Sequence, residues 1–318
     1  MKWSVVASIA LLFGIAPLLP GIAAKTRARL TGRRGAPVLQ PYRALARLWR
    51  KGVVYSRDTS WIFRVAPIAL VATAAFAAFL VPLDGQRAML SFSGDFVAFA
   101  YLLALGRFLL VLAALDTGSS FEGMGASREV TVAAFAEPTL FLAFVALVLA
   151  TGNLSLGGAL GGPLSQAWPG AAPALAMVTV SLFLVLLAEG SRVPVDDPAT
   201  HLELTMIHEV MVLDHSGPDL ALILFAGAVK FALFSALVVS VLVPLALFGS
   251  LLVATLVPRA ALSAPLAIAV LVLGLVVVAV AVGIVESVMA RLRLNRVPQF
   301  LTAASALAAL GVILLLVG

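Results

Sequence analysis

Long, nearly uncharged apolar runs decide what this chain can fold into. Eight of them stand out, at about residues 3–22, 62–82, 95–115, 130–151, 173–189, 220–247, 265–285 and 300–317. About 20 apolar residues in an α-helix rise roughly 30 Å, the thickness of a bilayer's hydrocarbon core. Backbone amides left unpaired in lipid are costly, so only helices or a closed barrel cross it. Runs of this length therefore read as transmembrane helices. The chain is 62% hydrophobic and 11% charged, against roughly half apolar and a quarter charged in soluble domains. The expected fold is all-α: a polytopic membrane protein forming one integral membrane domain over residues 1–318, because no polar stretch is long enough for a second folded unit.

Lys2 ahead of the first run and Ala23-Ala24 behind it give it the flanks of a cleaved signal peptide. The run exceeds the usual apolar length of about 7–15 residues for such peptides, and a basic loop follows, so it reads as a retained span. The sixth run continues to Val257, with a kink expected at Pro244. The glycine-rich, uncharged stretch 152–172 reads as a passive connector.

The net charge of +6 has a membrane explanation and does not call for nucleic acid. Lys25, Arg27, Arg29, Arg33, Arg34, Arg43, Arg47, Arg50, Lys51 and Arg57 crowd the first loop, and eight spans bring Arg128, Arg192, Arg291, Arg293 and Arg296 to the same side. Arg87 and Arg259 fall opposite. By the positive-inside rule the basic side is cytoplasmic and both termini lie outside, in a cell (inner) membrane. The chain has no cysteine, which excludes disulfides and thiolate-held iron–sulfur clusters on it.

One stretch breaks the apolar pattern. Residues 187–217 hold Glu189, Arg192, Asp196, Asp197, His201, Glu203, His208, Glu209, Asp214 and His215. Ionisable groups next to a membrane are expensive and mark function by default. Pro194 and Pro198 end the fifth span. Asp197-Pro198 offers a new helix an N-cap and a first-turn proline, and Thr200-x-x-Glu203 a second capping register. Projected as a helix, the following residues form an amphipathic cytoplasmic element. His201, Thr205, His208, Glu209 and His215 lie on one side, and an apolar face of Leu202, Leu204, Met206, Ile207, Val210, Met211 and Leu213 on the other. Glu203 and Asp214 land in the middle of the apolar face, where burial would make both carboxyls exchange protons near neutral pH. The three histidines recur every seven residues, about 10.5 Å along a helix, too far apart to share a metal ion. They read as a solvated or partner-facing stripe.

Further polar groups lie in the spans. Glu137 is inside the fourth, Lys230 near the middle of the sixth, and Glu189 and Glu286 end the fifth and seventh. Together they suggest a polar file running inward, with Arg192 placed to neutralise Glu189 from one turn away. A lysine in mid-span must face the bundle interior or a wet cavity. The loop 116–129, with Asp116, Glu122, Arg128 and Glu129, reads as a partner-contact element. Tyr42, Trp49 and Tyr55 among the first loop's basic residues suit the lipid headgroup region or a docked subunit.

The run Ala188-Glu189-Gly-Ser-Arg192-Val-Pro194-Val-Asp196-Asp197-Pro198 with His201-Leu-Glu203-Leu-Thr-Met-Ile-His208-Glu209 resembles the membrane subunit of group 4 nickel–iron hydrogenases. That family comprises formate hydrogenlyase subunit 4 and hydrogenase-4 component C, and is related to subunit 1 of respiratory complex I. Asp116 to Glu129, Ala136-Glu137-Pro138 and Val285-Glu286-Ser-Val-Met-Ala-Arg291 resemble the same branch. The resemblance implies a membrane anchor and ion-coupling subunit without a redox centre of its own. The nickel–iron centre and iron–sulfur clusters would sit on partners: hydrogenase large and small subunits, an iron–sulfur subunit and antiporter-like membrane subunits. Two other readings stand beside it, a quinone-site subunit of a complex I-like oxidoreductase and a free-standing ion transporter. The segment between Leu204 and Ser216 is a few residues longer than in the quinone-using branch, and the chain shows no internal repeat of the kind transporters carry.

Overall fold

The computed structural model describes residues 3–83, 88–197, 206–242 and 264–317. All regular structure among them is helical: α1 (Trp3–Ile15), α2 (Leu18–Leu30), α3 (Gln40–Trp49), α4 (Trp61–Leu80), α5 (Asp95–Asp116), α6 (Ser120–Thr151), α7 (Leu156–Ala159), α8 (Gly162–Glu189), α9 (Gly217–Leu242), α10 (Ala264–Val288) and α11 (Val297–Val317), with short 3-10 turns at Glu209–Val212 and Leu294–Arg296. Among the described residues seven helices are long and apolar enough to cross a membrane, and α1 with α2, bent by 44° to each other, is long and apolar enough only as a pair. As far as they are described, the eight apolar runs thus fall on these seven helices and the bent pair, in a polytopic, all-α membrane protein.

Local chemistry sets the ends. Ser60 caps α4 by accepting the Ile62 amide at 3.2 Å, and Asp116, closing α5, accepts the Ser60 amide at 2.6 Å. Gly152 ends α6 at φ +69°, a left-handed conformation that glycine adopts without a Cβ clash. α9 is the hub, with 67% of its most apolar window buried against 22% for α11. It packs on α3, α4, α8 and α10, while α6 packs on α5, α8 and α11. α2 and α10 approach closely at Gly283, where an added methyl would run into the Ala23 carbonyl and the Thr26 side chain.

Three expectations need correction. First, α6 begins at Ser120 rather than near 130, so its first ten residues form a helical extension beyond the apolar run. Second, the stretch 152–172 is no passive connector. It forms α7 and the start of α8, burying Leu156, Leu160, Leu164 and Trp168, and α8 bends at Ala171 between Pro169 and Pro173. Trp168 donates its indole N–H to the Val241 carbonyl at 3.0 Å, and Asp95 accepts the Leu156 amide at 2.6 Å. Third, residues 206–216 are not an α-helix; they hold one 3-10 turn, Glu209–Val212. Thr200, His201 and Glu203 lie outside the described residues, as do Arg87, Pro244 and Arg259. The amphipathic surface helix of the described structure is α3, which exposes Arg43 and Arg47 and ties Tyr42 Oη to the Gly14 carbonyl at the α1–α2 bend.

Candidate functional site

The focus of the site is Arg107, on α5. Its side chain is only 9% exposed and reaches three acidic side chains on two neighbouring helices. Nη2 donates to both Glu189 carboxylate oxygens, at 2.6 and 2.7 Å, and Nη1 donates to Glu137 at 2.8 Å. Nε lies 3.5 Å from Glu129. Lys230 of α9 holds Glu189 from the other side, Nζ to Oε2 at 2.6 Å. A guanidinium presents five N–H groups in a fixed fork, which is why one arginine can serve three carboxylates where a lysine could not. Three carboxylates and two cations make the group net −1 when all are ionised. Charges in a low-dielectric interior persist only when paired this closely.

Sequence reasoning singled out Glu137, Glu189 and Lys230, and the fold brings them together. It missed Arg107, although the signal was present: an arginine within an apolar run, open to the argument applied to Lys230. It also paired Arg192 with Glu189, which the structure corrects. After Glu189 the chain turns sharply through Gly190 and Ser191, the latter at φ +51°. This carries Arg192 away, so that Nη1 meets Glu286 of α10 at 3.4 Å while the guanidinium lies 5.0 Å from the Phe231 ring centre.

A second ring of ion pairs fastens residues 191–197. Arg27 of α2 binds Asp197 at 2.9 Å, and Arg291 lies 3.2 Å from Asp196. Asp196, itself buried, accepts the amides of Ile207 and His208 at 3.2 and 3.1 Å. It therefore joins the stretch before residue 198 to the stretch after 205.

The segment 206–216 lies packed into the protein, not flat on its surface. Met206, Ile207, Val210, Met211 and Val212 are buried. Asp214, expected in the apolar core, is exposed, as is Leu213. The reason is backbone direction: the Asp214 amide turns inward to donate to Glu122 at 3.1 Å, so its carboxylate points out. The histidine stripe is corrected too. His215 is 3% exposed and stacks on Phe63, with ring centres 3.9 Å apart and planes within 6°. Its ring nitrogens have no partner among the described residues. Burial lowers the His215 imidazole from 6.5 to about 4, and burial also lowers half-buried His208. Beside His215's stack, Tyr55 Oη donates to Asp219 at 2.8 Å.

The loop 116–129 also turns inward. Glu122 is fully buried, Glu129 faces Arg107, Asp116 caps α4's start, and Arg128 donates to the Met206 carbonyl at 2.8 Å. No group of three or more metal-ligating side chains occurs among the described residues.

Residues 3–317 match the family described as NADH dehydrogenase. The chain belongs to that family. Among relatives, it is 30% identical over 292 residues to formate hydrogenlyase subunit 4 of Escherichia coli (strain K12), a match covering 91% of this chain and 90% of that one. Hydrogenase-4 component C of the same organism is 30% identical over 238 residues, covering 75% and 74%. An NADH-quinone oxidoreductase subunit of Burkholderia vietnamiensis is 25% identical over 215 residues, covering 64% and 59%. The fold matches a chain of the membrane-bound sulfane sulfur reductase, an archaeal respiratory membrane complex, at a TM-score of 0.74 and 18% identity over 98% of both chains.

In this member of the family, ionised groups concentrate where α5, α6, α8 and α9 converge, next to the 206–216 segment, which backbone bonds to buried Asp196 and Glu122 pin at two places. Among the described residues the site offers no set of ligands for a redox metal.

Proposed function

We propose that this chain is the membrane anchor and ion-coupling subunit of a hydrogenase or formate hydrogenlyase-type complex. The observation that carries the reading is the Arg107–Lys230–Glu129–Glu137–Glu189 group, in which Arg107 and Glu189 are nearly enclosed and Glu137 is about one third exposed. Five ionisable side chains on four helices are more than a passive anchor needs, because ion pairs largely withdrawn from water add little or nothing to stability over apolar packing. The relatives named for formate hydrogenlyase and hydrogenase-4 support the type of complex.

In this reading the membrane domain spans 1–318, the basic face is cytoplasmic, both termini lie outside, and the membrane is the inner one. Partners on that face bring the nickel–iron centre and iron–sulfur clusters, and antiporter-like subunits lie alongside. Electron transfer in the docked arm displaces the segments around 116–130 and 191–218. Displacement of Asp196 and Asp197 loosens their pairs with Arg291 and Arg27, and Arg192 and Glu286 adjust with them. Glu203 and Glu137 then take or release a proton, and Lys230 passes the change to the next subunit through Glu189. A role for Asp214 as a buried proton carrier is dropped because it is exposed.

The test is Glu137→Gln and Glu203→Gln in the intact complex. Hydrogen chemistry and assembly should persist while ion movement is lost; ion movement at the parent level in both would refute the reading. Reconstituted alone, the chain should transport nothing.

One observation favours a second reading, a quinone-site subunit. An apolar cavity of about 390 Å³ lies between the α1–α2 bend, α3, α4 and α9, lined by Phe13, Tyr42, Trp49 and Phe225 among others. Inhibition of the complex by quinone-site blockers would support it, and insensitivity would count against it.

A further inference from the structure

The residues of α6 that hold the 206–214 segment lie on one stripe. Glu122, Gly125 and Arg128 are spaced by three, which places them on one face of a helix. Glu122 accepts the Asp214 amide at 3.1 Å and Arg128 donates to the Met206 carbonyl at 2.8 Å, so the two ends of the segment are held by the two ends of the stripe. Between them Gly125 lets the segment seat directly on the helix. A methyl there would come within 3.0 Å of the Ile207 carbonyl oxygen and of Met211 Cγ, and closer still to Val210 Cγ1. Met211 and Val212 complete the seat in one buried cluster with Ala126, Leu110, Val111 and Ile223. The next residue along α6, Glu129, lies 3.5 Å from Arg107, and Glu137 two turns further bonds the same guanidinium.

We infer that the first three turns of α6 are the arm that delivers movement of the 206–214 segment to the buried ion group, with Glu122, Gly125 and Arg128 as its positioning residues. The inference rests on the coupling role proposed above. It explains why a polar, glycine-bearing extension is helical at all: Glu122, Gly125 and Arg128 face the segment instead of lipid. A continuous helix transmits displacement because its turns move together, and here it touches both the segment and the charges.

The experiment measures amide hydrogen exchange of residues 206–216 and ions moved per electron pair in the intact complex. Gly125→Val should speed exchange of the segment on the order of tenfold or more, as overpacking at a seat predicts. It should also lower the ion yield while hydrogen turnover stays. Gly125→Ala should act in the same direction more weakly, and adding Val210→Ala, which removes the nearest obstructing group, should restore both readouts. Unchanged exchange in Gly125→Val, or faster exchange with the parent ion yield, overturns the inference. If Gly125→Val does not assemble, Gly125→Ala is compared with its Val210→Ala partner, and equal exchange in the two overturns it. Glu137→Gln, measured alongside, separates the two ideas. It should leave exchange unaltered and abolish ion movement; persistence of ion movement there refutes the proton role without touching the exchange result.

Discussion

His215 makes the docking of the 206–216 segment sensitive to acid. The imidazole sits 3% exposed against Phe63, and burial lowers it from 6.5 to about 4. Once the segment is released, the ring meets water and regains its ordinary affinity. Above pH 6.5 both states are neutral and no proton opposes docking. Between 6.5 and about 4 the released state binds a proton that the docked state refuses, so docking weakens as pH falls. Each unit is worth about 1.36 kcal/mol, and the 2.5 units between the two values give about 3 kcal/mol lost across the window. That is on the order of a hundredfold increase in the released population. The assay is hydrogen exchange or limited proteolysis of residues 206–216 in the purified complex at a series of pH values, comparing the parent with His215→Phe. Phenylalanine keeps a flat ring to stack on Phe63 and carries no proton. Because His208 and all partner groups are common to both proteins, the difference in slope isolates His215. The parent should open steeply as pH falls and the variant much less so; parallel slopes in the two would refute the reasoning.

Arg107→Gln leaves Glu129, Glu137 and Glu189 with Lys230 as their remaining close cation among the described residues, and should cost about 3–5 kcal/mol, seen as loss of the subunit from membranes or a lower melting temperature. Arg107→Lys should not rescue it, since one ammonium cannot reach three carboxylates in a fork. Lys230→Met should be tolerated far better in assembly, because Glu189 keeps both Arg107 bonds, yet it should lower ion movement per electron pair. Trp168→Phe removes the indole donor from the buried Val241 carbonyl and should destabilise by about 1–3 kcal/mol in thermal unfolding. Asp196→Ala removes the acceptor of the Ile207 and His208 amides and should speed their exchange selectively, leaving the amides of α4 unaffected.

The membrane crossings were legible because lipid imposes a length on apolar runs, and that constraint acts on each run independently of the others. Where protein rather than lipid covers a helix, the signal fades. Residues 120–129 carry glycines, serines and charges, so hydropathy ends the span near 130, but the helix continues because Gly125 and Glu122 face the 206–216 segment. The same cause misled the projection of that segment as one regular helix with a wet and a dry side. Buried between α5 and α6, it covers Met206, Val210 and His215 alike, and its short 3-10 turn rotates Asp214 outward. The ion partners were half legible. Glu137, Glu189 and Lys230 announce themselves as charges in spans, whereas the choice of Glu286 over Glu189 for Arg192 depends on the turn at Ser191 and on where α10 passes.

The distribution of polar groups across the bundle bears on how an ion could leave. On the basic face and inward to the Arg107 group, helices are joined by ion pairs: Arg27–Asp197, Arg291–Asp196, Arg192–Glu286 and the five-membered cluster. Beyond it, the joints among described residues are neutral. Thr139 and Ser305 share a hydrogen bond at 2.5 Å, Ser181 donates to the Ala304 carbonyl at 2.9 Å, and Trp168 donates to Val241. Between the cluster and the far end of the crossings the described spans carry one acidic or basic side chain, Asp95, at the first residue of α5, and the phenol of Tyr101, exposed on the outside of the bundle. A proton needs a continuous series of exchangeable groups, and hydroxyls engaged with carbonyls of their own and neighbouring helices do not provide one across apolar packing. On the proposed coupling role, a change at Glu137 is felt by Arg107 and, across the Glu189 carboxylate that Arg107 and Lys230 share, sideways by Lys230 on the central helix. That geometry suits a chain that hands charge to a neighbouring subunit and does not suit a carrier working alone.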